Sequence, residues 1–179
     1  MKLCGLDFET ANSCCGSICA AGAALLENGT VIERREYLVK PHRSMDYINK
    51  FFRDIHGIAY EDLRESPEFP EIWQSVKQLI ITADCVVIHN AKFDLRHLHK
   101  VLELYLLPAF SFNCLCSAKL CRHHFPELPR HGLADMAEHF GITFQHHDAL
   151  EDAETCAKIA AQLEIPENFI CRFEYSPAV

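Results

Sequence analysis

One feature of this chain restricts its possible folds more than any other: acidic residues occupy positions where the hydrophobic pattern predicts the core. Between residues 91 and 107 apolar side chains recur at helical spacing, and Asp94 falls inside their arc. A carboxylate turned towards a core costs several kcal/mol unless it is paired or binds a metal. The alternative is an acid at a helix N-terminus, where the helix dipole contributes only about 0.3–1 kcal/mol at a surface.

Two further segments repeat the pattern. Alternation along the first predicted strand puts Asp7 and Glu9 on one face and Phe8 on the other, although a solvated strand edge is the alternative for the two acids. In the last predicted helix Asp152 lies at the edge of the apolar side, and Asp148 is the predicted N-cap. One shared site accounts for Asp7, Glu9, Asp94 and Asp152. Oxygen ligands without a cysteine or histidine cluster favour Mg²⁺ or Mn²⁺ over zinc.

His147 stands five residues before Asp152, so a loop can bring it to the same site. Its unperturbed pKa of about 6.5 suits a general base at neutral pH. The alternative is a solvated surface histidine, since the chain has 11 histidines and His146 is the neighbour.

The order of the predicted elements favours an α/β domain with a mixed sheet of about five strands flanked by helices. An Asn28-Gly29 pair predicts a tight hairpin between the second and third strands. The predicted strands cover residues 2–9, 18–26, 31–39, 84–89 and 110–115. The predicted helices lie within 48–81, 91–107, 117–124, 131–140 and 149–163, the first of these being broken near His56-Gly57 and at 67–70.

The length of 179 residues predicts a single domain, with a core over about 1–165 and a short tail over 166–179. A net charge of −8 gives no broad attraction to phosphates or anionic lipid, so any contact with nucleic acid is expected to be local. The longest apolar run, 18–26, is far shorter than the ~20 residues of a membrane helix. We therefore expect a soluble cytoplasmic protein without membrane contact.

Ten cysteines are present, but no C-x-x-C pair gives them zinc spacing. Buried, reduced thiols are the simpler interpretation, and a thiol or zinc protein is the alternative.

Three motifs then resemble a known family. They are Asp-Phe-Glu-Thr at 7–10, His-Asn-Ala-Lys-Phe-Asp at 89–94 and His-Asp-Ala-Leu-Glu-Asp at 147–152. In this order they look like the three motifs of the DnaQ-like 3′-to-5′ exonucleases of the DEDDh type. The similarity extends over nearly the whole chain to about Leu163 and implies a ribonuclease H-like fold.

The resemblance implies a role for each matching residue. Asp7, Glu9, Asp94 and Asp152 would hold two divalent cations, Mg²⁺ or Mn²⁺, and His147 would be the base. The residues implied to contact the terminal nucleotide are Phe8, Thr10, His56 and Phe93. Simpler alternatives remain for three of them: a capping hydroxyl for Thr10, a turn residue for His56 and ordinary core packing for Phe93.

The implied activity is release of nucleoside 5′-monophosphates from the 3′ end of single-stranded or frayed nucleic acid, with DNA favoured and RNA possible. Many relatives continue the first motif with Thr-Gly, whereas Ala11-Asn12 stands here, which affects the expected nucleotide contacts. We expect a stand-alone nuclease, as a monomer or homodimer, with a polymerase or repair partner unproven. The alternatives are a catalytically silent nucleic-acid-binding module on the same fold and an oligoribonuclease-like RNA exonuclease.

Overall fold

A mixed six-stranded sheet with helices on both faces organises the computed structural model, which describes residues 1–177. The strands are β1 (Lys2–Thr10), β2 (Ile18–Glu27), β3 (Thr30–Leu38), β4 (Cys85–Ile88), β5 (Phe110–Cys116) and β6 (Cys171–Tyr175). The helices are α1 (Lys50–His56), α2 (Tyr60–Leu63), α3 (Phe69–Thr82), α4 (Lys92–Leu104), α5 (Ser117–His124), α6 (Leu133–His139) and α7 (Ala149–Ala160). A short 3-10 helix covers Glu167–Phe169.

The spatial order of the strands is β3-β2-β1-β4-β5-β6. The first three strands form the expected antiparallel meander, and Asn28 and Gly29 both take the positive φ angles that its tight turn requires. Strands β1, β4 and β5 are parallel, so all three end at one edge of the sheet. We call this the carboxyl edge.

Alternation along β1 supplies both faces of the sheet, as predicted. Leu6 and Phe8 lie in a core layer formed with α3 and α4, whereas Leu3 lies in the opposite layer with α5, α6 and α7. The two carboxylates of β1 therefore share the face that α7 covers.

Helix α7 approaches the sheet so closely that only glycine fits beneath it at two positions. A Cβ atom on Gly5 would lie 1.8 Å from the carbonyl oxygen of Ala153, and one on Gly22 would lie 2.0 Å from that of Ala149. Gly22 is also the antiparallel partner of Asp7. The first turn of α7 consequently begins directly beside Asp7.

The sheet has one strand more than the sequence indicated, and that strand lies in the segment expected to be a tail. Strand β6 pairs antiparallel with β5, and its Phe173 and Tyr175 are buried in the core layer of α3 and α4. The Tyr175 hydroxyl donates a hydrogen bond of 3.1 Å to the Leu102 carbonyl in α4. Alternation of these two aromatic residues with Arg172 and Glu174 is the sequence signal for this strand.

The cysteines follow the simpler interpretation. All ten are free thiols, and six of them are buried. Burial raises the pKa of the Cys4 thiol to about 12, so that side chain stays protonated at neutral pH. Among residues 1–177, the groups of side chains spaced to hold a metal ion include no cysteine. Over the same residues, no helix is long and apolar enough to cross a bilayer.

The close packing of α7 leads to a stability prediction. We expect Gly5→Ala to lower the free energy of unfolding by about 1–3 kcal/mol or more, because the added methyl group overlaps the backbone of α7. Urea unfolding followed by circular dichroism measures this loss. As a control, Gly132→Ala meets only the flexible Asp135 carboxylate at 3.0 Å and should cost less than about 1 kcal/mol. Equal losses in the two variants would contradict the packing argument.

Candidate active site

Four acidic side chains lie at the carboxyl edge of the sheet, and we call them the acid cluster: Asp7, Glu9, Asp94 and Asp152. The first two stand at the end of β1, and the others stand in the first turns of α4 and α7. Carboxylate oxygens of Asp7, Glu9 and Asp152 all lie within 4.8 Å of one another. Hard oxygen ligands gathered in this way suit Mg²⁺ or Mn²⁺.

Asp94 completes the cluster from α4. Its side chain is only 3% exposed, which confirms that it faces inwards, and its Oδ1 accepts a hydrogen bond of 3.1 Å from the backbone N–H of Phe8. The negative charge of Asp94 also raises the pKa of Asp7. Asp94 thus links α4 to β1 and acts electrostatically on the other acids.

Burial is the largest cause that raises the pKa of every carboxyl group in the cluster. Repulsion from the neighbouring acids adds to it, and together these causes raise the pKa of Glu9 to about 8. Asp7 feels the charges of Asp94, Asp152 and Glu9 together, and its pKa lies well above the usual range. Ionising all four groups is costly without a counter-charge, which divalent cations supply. The donor set and its electrostatics therefore fit a metal site.

His147 lies in the turn that leads into α7. Its φ angle of 66° is in the left-handed region, and its backbone N–H donates a hydrogen bond of 3.3 Å to Asp152 Oδ2. Burial lowers the pKa of His147, and the neighbouring His146 and His56 lower it further. The ring is therefore neutral at pH 7, the state in which imidazole accepts a proton.

His146 also lies at the site, although the sequence did not predict a role for it. Its Nδ1 lies 3.1 Å and 3.2 Å from the two carboxylate oxygens of Asp152, and its ring stacks on that of His147 with centroids 3.9 Å apart. The histidine side chain that contacts Asp152 is therefore His146. Its position in the turn before the α7 cap was the available signal.

His56 and Thr10 are joined through the backbone. His56 Nε2 donates to the Thr10 carbonyl at 3.2 Å, and its Nδ1 accepts from the backbone N–H of Ile58 at 3.0 Å. Both ring nitrogens are thus occupied, which agrees with the turn-residue alternative for His56. Thr10 is buried, with only 3% of its surface exposed.

The two phenylalanines differ in their surroundings. Phe8 is 3% exposed and packs edge-on against Phe69 in the core, so a substrate contact at this position would involve its backbone. Strand alternation is the reason, since Phe8 points away from the face of Asp7. Phe93 is 44% exposed and lies beside the His97 ring at 4.5 Å between centroids. Its ring is therefore accessible to a ligand.

Asn12, which departs from the Thr-Gly pattern, is a buried loop anchor. Its side-chain amide donates to the carbonyls of Met45 and Tyr47 at 3.0 and 2.8 Å, and its Oδ1 accepts from the backbone N–H of Cys14. The substitution thus holds the loop after β1 against residues 45–47.

Sequence comparison assigns most of the chain to one type of domain. A family model described as an exonuclease, of the RNase T type, matches residues 4–160. The chain is 25% identical over 138 residues to a PolC-type DNA polymerase III of Streptococcus thermophilus, a match that covers 76% of this chain and 9% of the relative. A PolC-type enzyme of Streptococcus pneumoniae matches over 139 residues at the same identity and coverage. The chain therefore spans less than a tenth of the length of these relatives.

Solved structures share its fold. Exonuclease X in complex with 5′-overhanging duplex DNA superposes with a TM-score of 0.70 at 23% identity, covering 89% of each chain. The nuclease domain of 3′hExo, a DEDDh family member bound to rAMP, gives a TM-score of 0.75 at 19% identity and covers 93% of this chain and 96% of that one. The expected ribonuclease H-like α/β fold is confirmed.

The electrostatics of the acid cluster predict that Asp94→Asn stabilises the metal-free protein. Burial, as the largest cause, raises the pKa of Asp94 to about 8, whereas an unfolded aspartate titrates near ~3.9. The unfolded chain therefore releases this proton first, and the wild-type protein loses stability as the pH rises between these values. Asparagine retains the oxygen that accepts from Phe8.

Thermal unfolding in EDTA at pH 5, 7 and 8.5 tests this prediction. We expect Asp94→Asn to raise Tm most at pH 8.5 and least at pH 5, by about 2–4 °C for each kcal/mol that the buried charge costs the wild-type protein. The exposed Glu65→Gln is the matched control and should change Tm equally little at each pH. A lower Tm for Asp94→Asn at high pH would disprove the electrostatic account.

Proposed function

The chain belongs to the exonuclease family, and on that premise we propose that it is a metal-dependent 3′-to-5′ exonuclease acting on single-stranded or frayed nucleic acid, with DNA favoured. The observation that carries this proposal is the acid cluster, in which three carboxylates from β1 and α7 lie within 4.8 Å of one another and Asp94 is buried behind them. The products are nucleoside 5′-monophosphates.

The acid cluster supplies the metal ligands in this proposal. Asp7, Glu9 and Asp152 would hold the cations, and the buried Asp94 would add its negative charge to the site. Two bound divalent cations, Mg²⁺ or Mn²⁺, make water more acidic and stabilise charge on the leaving oxygen.

The two neighbouring histidines, His146 and His147, have different roles in this proposal. His147, with its neutral ring, accepts the proton of the attacking water, while its backbone N–H stays bonded to Asp152. His146 positions Asp152 through its Nδ1. The proposal therefore separates proton transfer from ligand positioning in two adjacent residues.

The substrate end is bound beside Phe93. Its exposed ring is next in sequence to Asp94, and an aromatic face can stack on any base. A frayed terminus reaches such a ring more easily than a paired one. The PolC-type relatives are DNA polymerases by name, which supports DNA as the favoured substrate.

Cleavage of end-labelled oligonucleotides tests the polarity and the metal requirement. With a 5′-labelled single strand we expect a ladder of progressively shorter products, and with a 3′-labelled strand an immediate labelled mononucleotide. Mg²⁺ or Mn²⁺ should support both reactions and EDTA should abolish them. Parallel DNA and RNA strands measure the preference. Internal cleavage, release of mononucleotides from the 5′ end of the strand, or full activity in EDTA would each refute the proposal.

Two alanine variants test the roles of the histidines. We expect His147→Ala to lower kcat by about 10²–10⁴-fold at every Mg²⁺ concentration, because the proton acceptor is lost. We expect His146→Ala to raise the Mg²⁺ concentration needed for half-maximal activity while kcat at saturating Mg²⁺ changes much less. Titration of activity with Mg²⁺ separates the two effects. The reverse pattern would identify His146 as the base.

A further inference from the structure

A cavity of about 790 Å³ opens between α4, α5 and the segment that precedes β6. Its lining includes Phe93, which stands in the first turn of α4 together with Asp94, so the cavity and the acid cluster share that turn of the helix. Its volume lies within the range of about 300–1,000 Å³ that is usual for ligand sites. The established family membership assigns no role to it.

The charge of this cavity is opposite to that of the protein. Two cations of α4 (Lys92 and Arg96) and two of α5 (Lys119 and Arg122) line it, and its lining contains no Asp or Glu. Within residues 1–177 none of the four forms an ion pair. Unpaired cations concentrated on one side of a chain of net charge −8 favour an anionic ligand. We call this feature the basic groove.

The groove is longer than one cavity. A second cavity of about 510 Å³ shares Lys92, Leu95 and Arg96 with the first and adds Lys100. The three cations of α4 are four residues apart, which places them about 6 Å apart along one side of the helix. Lys100, unlike Lys92 and Arg96, also pairs with Glu103 at 3.0 Å. A row of evenly spaced charges matches a polymer with repeating phosphates better than a single anion.

Apolar and aromatic side chains accompany these cations. Leu95, Leu115 and Phe169 line the same cavity, and so does the exposed Phe93, the residue before Asp94. Cations combined with aromatic stacking surfaces are how proteins bind single strands without reading their sequence.

We propose that the basic groove binds the single-stranded part of the substrate on the 5′ side of the scissile phosphate. The phosphates lie along the cations of α4 and α5, and the bases contact the apolar floor. This inference rests on the proposed function, because it takes the 3′ end to be at the acid cluster. It explains how an acidic protein holds a polyanion through local contacts.

Binding in EDTA tests the groove separately from hydrolysis. The probes are 5′-fluorescein oligothymidylates of two, four, eight and twelve nucleotides, measured by anisotropy over a series of salt concentrations. Wild-type affinity should rise with length. The double variant Lys119→Glu/Arg122→Glu should bind the twelve-mer at least about tenfold more weakly, with a salt slope shallower by about 1.4 for the two lost contacts to a single strand, and should change binding of the dinucleotide much less.

The matched control, Lys2→Glu/Lys77→Glu, reverses two charges near the amino ends of the parallel strands, away from the carboxyl edge. Lys2 begins β1, and Lys77 lies over the ring of Phe110 at the start of β5. This control should bind like the wild-type protein. If either glutamate double variant unfolds, as judged by circular dichroism, the glutamine pair at the same positions replaces it.

Three results would overturn the groove: unchanged twelve-mer binding by the Lys119/Arg122 variant, equal weakening by the control, or equal weakening for the dinucleotide and the twelve-mer. The last result would place the terminal nucleotide, rather than the upstream strand, in the cavity. A wild-type protein that binds with the expected length dependence but cleaves nothing would refute the proposed function alone. If the wild-type protein cleaves the substrate but the Lys119/Arg122 variant binds the twelve-mer as tightly as the wild type does, the groove proposal alone would be refuted.

Discussion

The contact between the backbone of α7 and the sheet determines where the acid cluster can form. Gly5 and Gly22 carry no Cβ, and the carbonyl groups of Ala149 and Ala153 occupy the space that a methyl group would fill. The helix therefore starts at the antiparallel partner of Asp7, and its first turn brings Asp152 to the end of β1. Packing of very small residues thus produces a site made of costly buried charges.

Most of the fold could be predicted because its elements carry strong local signals. The Asn28-Gly29 turn, the alternation along β1 and the apolar arc of α4 each specify a structure without help from distant residues. Strand β6 carries a weaker signal, since only Phe173 and Tyr175 mark its inner side. It forms because β5 offers an unpaired edge, and that is a non-local condition.

The site was predictable where residues contradict the pattern around them. Buried acids such as Asp94 and Asp152 stand out because a core position is costly for them. His146 does not stand out, because its bond to Asp152 depends on how the turn before α7 directs its ring. The basic groove could not be predicted from the sequence either, since Lys92 and Arg122 belong to different helices and come to line one cavity only in the folded chain.

The two outer strands have a consequence for association between molecules. An open sheet presents unpaired N–H and C=O groups along its outer strands, where a strand of another chain can add and start aggregation. Here β3 carries the charged run 33–36, and β6 is only five residues long with Arg172 and Glu174 on its outer side. The charges of β3 and the short length of β6 make both outer strands poor templates for a strand of another chain. This protects a chain rich in β-structure from aggregation during folding.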